Sequence, residues 1–238
     1  MSDSGPETWR WLALPLGGAV ALLVLQVIGP YVPAPPLVAY GFSFAVVCGF
    51  VLESARLCPA LKPRALRWLS VPLACLGVVA ITSSGAPWQA ALVLASLLVA
   101  GTLLGNTVGS AIEQAWHLSF VAIVSSLADA VSVLHPSGPS AAIVQSETAL
   151  SLLALPFAFL GTAETPPLLG VGDVVFSALY VAAARRHGLS SRKTLIALSL
   201  AFAVTMVTVV AFELPVPALP FLGLAMVIVH PEARRRPK

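Results

Sequence analysis

The feature that most constrains this chain is the length of its uncharged apolar runs. "LALPLGGAVALLVLQVIG" at 12–29 and "ALVLASLLVAGTLLGNTVGSA" at 91–111 contain no charged residue. About 20 mostly apolar residues cross the hydrocarbon core as a helix, so runs of this kind specify membrane spans. The rest of the sequence agrees: 58% of the 238 residues are hydrophobic and 10% are charged, which excludes a soluble globular domain. A transmembrane β-barrel is excluded too, because its strands alternate in polarity and these runs are continuous.

Polar and Pro/Gly-rich punctuation divides the chain into eight expected spans, near 11–29, 37–54, 69–84, 88–108, 115–135, 168–184, 194–213 and 216–230. The first is read as a retained span, since "MSDSGPETWR" mixes charge signs and no small-residue cleavage site follows. The interval 136–167 holds no clear span. Its apolar stretch "ALSLLALPFAFLG" is proline-punctuated and too short to cross, and reads as a half-helix or an extended segment. The expectation is an all-α polytopic bundle without internal repeat or soluble domain. Residues 1–114 form a scaffold of N-terminal helices, and 115–238 form the part that carries chemistry.

The basic residues order these spans. With eight crossings, all 13 Lys and Arg fall on one side: Arg10; Arg56, Lys62, Arg64 and Arg67; Arg185, Arg186, Arg192 and Lys193; Arg234, Arg235, Arg236 and Lys238. By the positive-inside rule, both termini are cytoplasmic and 136–167 faces outward. The net charge of +3 therefore reflects orientation, and nucleic acid is not an expected partner. Cys48, Cys58 and Cys75 are odd in number, with two inside apolar runs, and suggest neither disulfides nor a metal site. No cofactor is called for.

Of three aspartates, Asp129 and Asp173 lie in apolar runs. An ionised carboxylate at membrane depth costs roughly 2.5 to 3.5 kcal/mol on insertion scales, so such residues are functional candidates. Asp129 lies toward the end of the fifth span and Asp173 at the start of the sixth. Consecutive spans are antiparallel, which puts the two at similar depth. Two carboxylates sharing a site hold one proton between them. The ionised member can deprotonate a water while the protonated member polarises a peptide carbonyl. Gly170 and Gly172, lacking Cβ, would let a substrate backbone approach closely.

These residues carry a resemblance. "GVGD" at 170–173, comprising Gly170, Val171, Gly172 and Asp173, resembles the GxGD motif of the presenilin and signal peptide peptidase family of intramembrane aspartyl proteases. "PAL" at Pro217, Ala218 and Leu219 resembles the family's PAL motif, and "ADAVSVLHPSGPS" at 128–140 resembles the segment around its first catalytic aspartate. The three occur in the family's order. The resemblance implies a catalytic pair of Asp129 and Asp173, with Pro217 to Leu219 shaping the substrate site. It implies transmembrane-helix or signal-peptide-remnant substrates met within the lipid bilayer. Two departures stand out: Ala128 replaces the family's usual Tyr, and eight spans replace nine. The charge pattern matches the inverted topology of signal peptide peptidases. Small size and minimal loops suggest a chain that works without obligate partner subunits, in a prokaryotic cell membrane.

A helix hydrogen-bonds its own carbonyls, so a substrate helix must unwind before cleavage. Either "LALPFAFLG" or Leu168 and Leu169, just before Gly170, is expected to offer it a strand edge. Other readings give the carboxylates different work. A proton- or cation-coupled transporter would bind its ion between them. A catalytically inactive family member would bind helices without cutting them. Glu213, just before the PAL stretch, is read as a solvated helix end, with a perturbing influence on the pair as the minor alternative. His117, His187, His230 and the Trp residues at span ends are read as interfacial.

Overall fold

A computed structural model of the chain describes residues 11–59, 63–82, 86–135, 138–212 and 216–234. Glu213 lies outside the described residues, as do Trp9 and the flanking basic residues Arg10, Lys62, Arg235, Arg236 and Lys238. The architecture is all-α apart from one small hairpin. In chain order it comprises α1 (Ala13–Ile28), α2 (Pro36–Leu57), α3 (Ser70–Thr82), α4 (Pro87–Ala111), α5 (Ala115–Leu134), α6 (Pro139–Gln145), α7 (Glu147–Leu153), strands β1 (Ala154–Pro156) and β2 (Pro167–Gly170), α8 (Val171–Arg186), α9 (Ser191–Phe212) and α10 (Leu219–Val229). Among the described residues, five helical segments, 13–31, 36–57, 87–111, 115–133 and 191–212, are long and apolar enough to cross a membrane. The segments 66–82 and 219–229 are apolar but shorter.

Burial shows which helices lie inside. In its most apolar 18-residue window, α4 is 67% buried, whereas α5 is 17% buried. Helix α5 turns Phe120, Leu127 and Val131 outward, and α9 does the same with Leu200 and Val207, as a lipid-facing surface requires. The most extensive packing is α4 against α8, followed by α10 against α5, with α1 and α3 also laid on α4. One hydrophobic core runs through both parts of the chain, from Leu22 and Val47 through Leu94 and Leu98 to Tyr180, Phe202 and Leu222.

The α4–α8 seam is close because of glycine. Gly101, Gly105 and Gly109 recur every four residues along one face of α4, a small-residue ridge that allows helix backbones to approach. A Cβ on Gly105 would lie 2.0 Å from the Val175 carbonyl oxygen, and one on Gly109 would lie 2.3 Å from that of Leu179. At the α5–α10 contact, Gly223 has the same function: a Cβ there would meet Ser126 Oγ at 2.3 Å and the Ala122 carbonyl oxygen at 2.7 Å.

The interval 136–167 combines both expected forms. Pro139 opens α6 at its first turn, where a missing N–H costs nothing, and Ser146 caps α7 by accepting from the Ala149 N–H at 3.3 Å. The chain then becomes extended. β1 pairs antiparallel with β2, with Ala154 opposite Gly170 and Leu155 opposite Leu169. Beyond β1, Phe157 and Phe159 continue the ladder by donating to the carbonyls of Pro166 and Glu164. Gly161 turns the chain with φ +82°, a left-handed conformation suited to glycine, and donates its N–H to the Gly29 carbonyl at 2.8 Å. Ser43 of α2 donates to the Ala158 carbonyl at 2.7 Å, anchoring the hairpin to the bundle.

Two expected boundaries move. The sixth span was expected to begin as helix at 168, but Leu168, Leu169 and Gly170 are in strand β2 and the helix starts at Val171. Pro166 and Pro167 disfavour helix before it, and Asp173, at the third helical position, reaches back to the Gly170 N–H. The last helix begins at Leu219 rather than 216, so Pro217 and Ala218 form an irregular lead-in.

Candidate functional site

Asp129 lies on α5 five residues before its end, about 8 Å of helix rise. Asp173 lies in the first turn of α8. Both are half-buried, and both line one cavity of about 450 Å³. The two carboxylates expected to share a site thus line the same cavity.

Each carboxylate is held through one oxygen by a backbone N–H. Asp173 Oδ2 accepts from Gly170 N–H at 3.1 Å, and Asp129 Oδ2 accepts from Leu219 N–H at 3.2 Å. Ser126, one turn before Asp129, donates to the Leu219 carbonyl at 3.1 Å and to the Ala122 carbonyl at 2.6 Å. The residue opening α10 is thus tied to α5 through both its N–H and its C=O. The aspartate helices are also joined lower down, where Tyr180 Oη and Ser125 Oγ lie 3.3 Å apart.

The structure brings all the sequence-derived candidates into one cavity. Leu168, Leu169, Gly170, Val171 and Gly172 line it from β2 and the start of α8, and Pro217, Ala218 and Leu219 line it from the lead-in to α10. Leu169 is buried against Leu155 of β1, whereas Gly170 is exposed toward the cavity mouth. Leu150, Leu153 and Ala154 close the side formed by α7 and β1. Among the described residues, no group of three or more His, Cys, Asp or Glu is arranged to hold a metal.

Sequence reasoning missed residues that arrive from distant helices. Tyr40 and Phe44 of α2 line the cavity together with Thr205 and Val209 of α9. Tyr40 packs on Phe44 with ring centroids 6.0 Å apart and meets Phe159 edge-on at 5.9 Å. No local motif marks Tyr40. Ala128, in contrast, is exposed and does not line the cavity.

Two interfacial readings change. His230 is fully buried: its Nε2 meets Thr194 Oγ1 at 2.9 Å and its Nδ1 meets Glu232 Oε1 at 3.1 Å, so it ties the end of α10 to the start of α9. Trp11 is buried with Cys58 and Leu103, whereas Trp68 and Trp88 are exposed. Comparison of the chain with protein-family models and with curated proteins yields no match.

Proposed function

We propose that this chain is an intramembrane aspartyl protease of the presenilin and signal peptide peptidase type, hydrolysing peptide bonds of transmembrane helices or signal-peptide remnants. The observation that carries the reading is a pair of carboxylates, Asp129 and Asp173, on separate helices at one cavity, each fixed through a single oxygen by a backbone N–H. The second oxygen of each remains available for a water or for the shared proton. One ionised carboxylate takes a proton from the water, and its protonated partner donates to the substrate carbonyl as the tetrahedral intermediate forms. Collapse of that intermediate releases the amine with the proton returned.

Substrate presentation follows from the hairpin. β1 and β2 form a two-stranded sheet ending at the cavity, and a two-stranded sheet has unpaired edges. An unwound substrate strand adds to that edge through main-chain hydrogen bonds, which needs little side-chain specificity. This suits an enzyme whose substrates share a conformation more than a sequence.

The proposal includes eight crossings, with α3, α8 and α10 as shorter spans beside the five long ones. The ends at Arg56 to Arg67 and at Arg185 to Lys193 then face the cytoplasm, and the dyad lies nearer the outer surface. The deciding experiment is cleavage of a fluorogenic single-span peptide in lipid vesicles by wild type, Asp129→Asn and Asp173→Asn. Cutting by wild type alone supports the dyad. Proton-coupled uptake lost in the same variants, without cutting, would replace the protease by a transporter.

A further inference from the structure

At the opposite end of α8 from Asp173 lies a second polar cavity, of about 290 Å³, lined by Asn106, Ser110, Ala182, Arg185 and Arg186. Twelve residues separate Asp173 from Arg185, so this cavity is about 18 Å down the same helix. Asn106 is fully buried, and its side chain reaches the Cys58 carbonyl at 3.5 Å. The cavity sits where the ends of α2, α4 and α8 converge.

The charge balance there is one-sided. Among the described residues neither Arg185 nor Arg186 forms an ion pair: Glu53 is paired with Arg56 at 2.6 Å, and Glu113, exposed just beyond α4, reaches neither guanidinium. Helix capping accounts for part of their bonding. Arg185 donates to the carbonyls of Ala55 and Arg56 at 3.0 and 3.3 Å, and Arg186 donates to the Ser110 carbonyl. Carbonyls at helix C-termini favour cations, so these bonds are stabilising in themselves. Yet a guanidinium carries five N–H donors, and these contacts leave several unused around a cavity also bordered by an amide and a hydroxyl. Donors with two positive charges and no carboxylate fit a phosphate group, which the planar fork of Arg binds bidentately.

We propose that this cavity binds a phosphate group, that of an anionic phospholipid or free inorganic phosphate, and by doing so clamps the ends of α2, α4 and α8. Basic pockets between transmembrane helices are a recurrent way of holding anionic headgroups. The site is independent of the reaction at the aspartates. A ligand that binds only the folded chain raises its thermal midpoint as the site fills.

The test is thermal unfolding of the purified full chain in neutral detergent. Inorganic phosphate is titrated against chloride at equal ionic strength, and dihexanoyl phosphatidic acid is titrated against dihexanoyl phosphatidylcholine. A saturable rise with phosphatidic acid alone assigns a lipid headgroup, and one with both phosphate and phosphatidic acid assigns the free anion as sufficient. Arg186→Gln is expected to bind at least about tenfold more weakly. Arg186→Lys keeps the charge and loses the fork, so it should fall between the two. Native mass spectrometry of the bound phosphatidic acid gives the same ranking without unfolding the protein. No saturable response in wild type, or an equal response in both variants, overturns the proposal and leaves the arginines as helix caps.

Discussion

Asp129 accepts a hydrogen bond at 3.2 Å from the backbone N–H of Leu219, a residue ninety positions away in the chain. The contact gives the Pro-Ala-Leu stretch a physical role. Pro217 and Pro220 flank the turn and keep the helix from starting earlier, which leaves the Leu219 N–H without a helical partner and directed at α5. An orphan donor of a helix start is thereby satisfied by a carboxylate of the candidate dyad.

Asp129→Asn tests whether this carboxylate is chemical or only structural. The amide oxygen can still accept from Leu219, so thermal stability should stay within about 1 kcal/mol of wild type. Cleavage of a single-span peptide should fall at least about 1000-fold, because the amide neither takes nor gives the proton. The wild-type rate should follow a bell-shaped pH profile, as a pair working with one shared proton does. Residual cutting by Asp129→Asn at a tenth of the wild-type rate would remove Asp129 from the chemistry.

Gly105→Ala should be among the most damaging small changes in the chain. Its Cβ would lie 2.0 Å from the Val175 carbonyl oxygen and 2.9 Å from the Ala178 Cβ, contacts that only a shift of α8 relieves. Overpacking of this sort costs about 1 to 3 kcal/mol or more, and the shift would move Asp173 as well. Gly49→Ala is the matched control, since its Cβ would meet nothing within 4 Å. Unfolding midpoints and peptide cleavage should both fall for Gly105→Ala and hold for Gly49→Ala.

The glycine ridge also shows what was legible in the sequence and what was not. Membrane helices are readable because lipid demands long apolar runs, and α2, α4, α5 and α9 lie within a few residues of their expected bounds. Asp129 and Asp173 stood out because charge is costly in such runs. Gly101, Gly105 and Gly109 were equally visible as a four-residue repeat, but small residues show where a helix packs without naming its partner. The start of α8 shifted because an apolar Leu168–Leu169 pair reads alike as strand or helix, and only pairing with Leu155 decides it. Tyr40 and the burial of His230 depend on contacts between distant helices, which no local pattern encodes.

Proline substitution of β2 tests the strand edge. Leu169 pairs with Leu155 of β1, whereas Leu168 falls where the hairpin register shifts between Leu155 and Pro156. Proline at either position removes an N–H that the hairpin or an incoming strand can use. Both Leu168→Pro and Leu169→Pro should lower cleavage by about tenfold or more. Leu168→Ala, which keeps its N–H, should lower it less than threefold. Unchanged cleavage in both proline variants would mean that substrate does not add to this hairpin.

Tyr40 offers a phenol at the site from an unexpected direction. The helix of Asp129 presents Ala128 on an exposed face, so a tyrosine placed there would not enter the cavity. Tyr40 does line it, and among the described residues its hydroxyl has no hydrogen-bond partner, although its ring is held by Phe44 and Phe159. Under the proposed protease reading, this phenol on the cavity wall is a candidate donor to a substrate carbonyl. Tyr40→Phe removes that donor while keeping the ring contacts, so stability should be unchanged and the turnover number should fall by about tenfold, equivalent to one hydrogen bond of about 1.4 kcal/mol. Ala128→Tyr in the same background should restore nothing, because its side chain lies on the exposed face of α5, outside the cavity. If Tyr40→Phe cuts at the wild-type rate, the phenol is only part of the wall and the ring stack is the whole of its function.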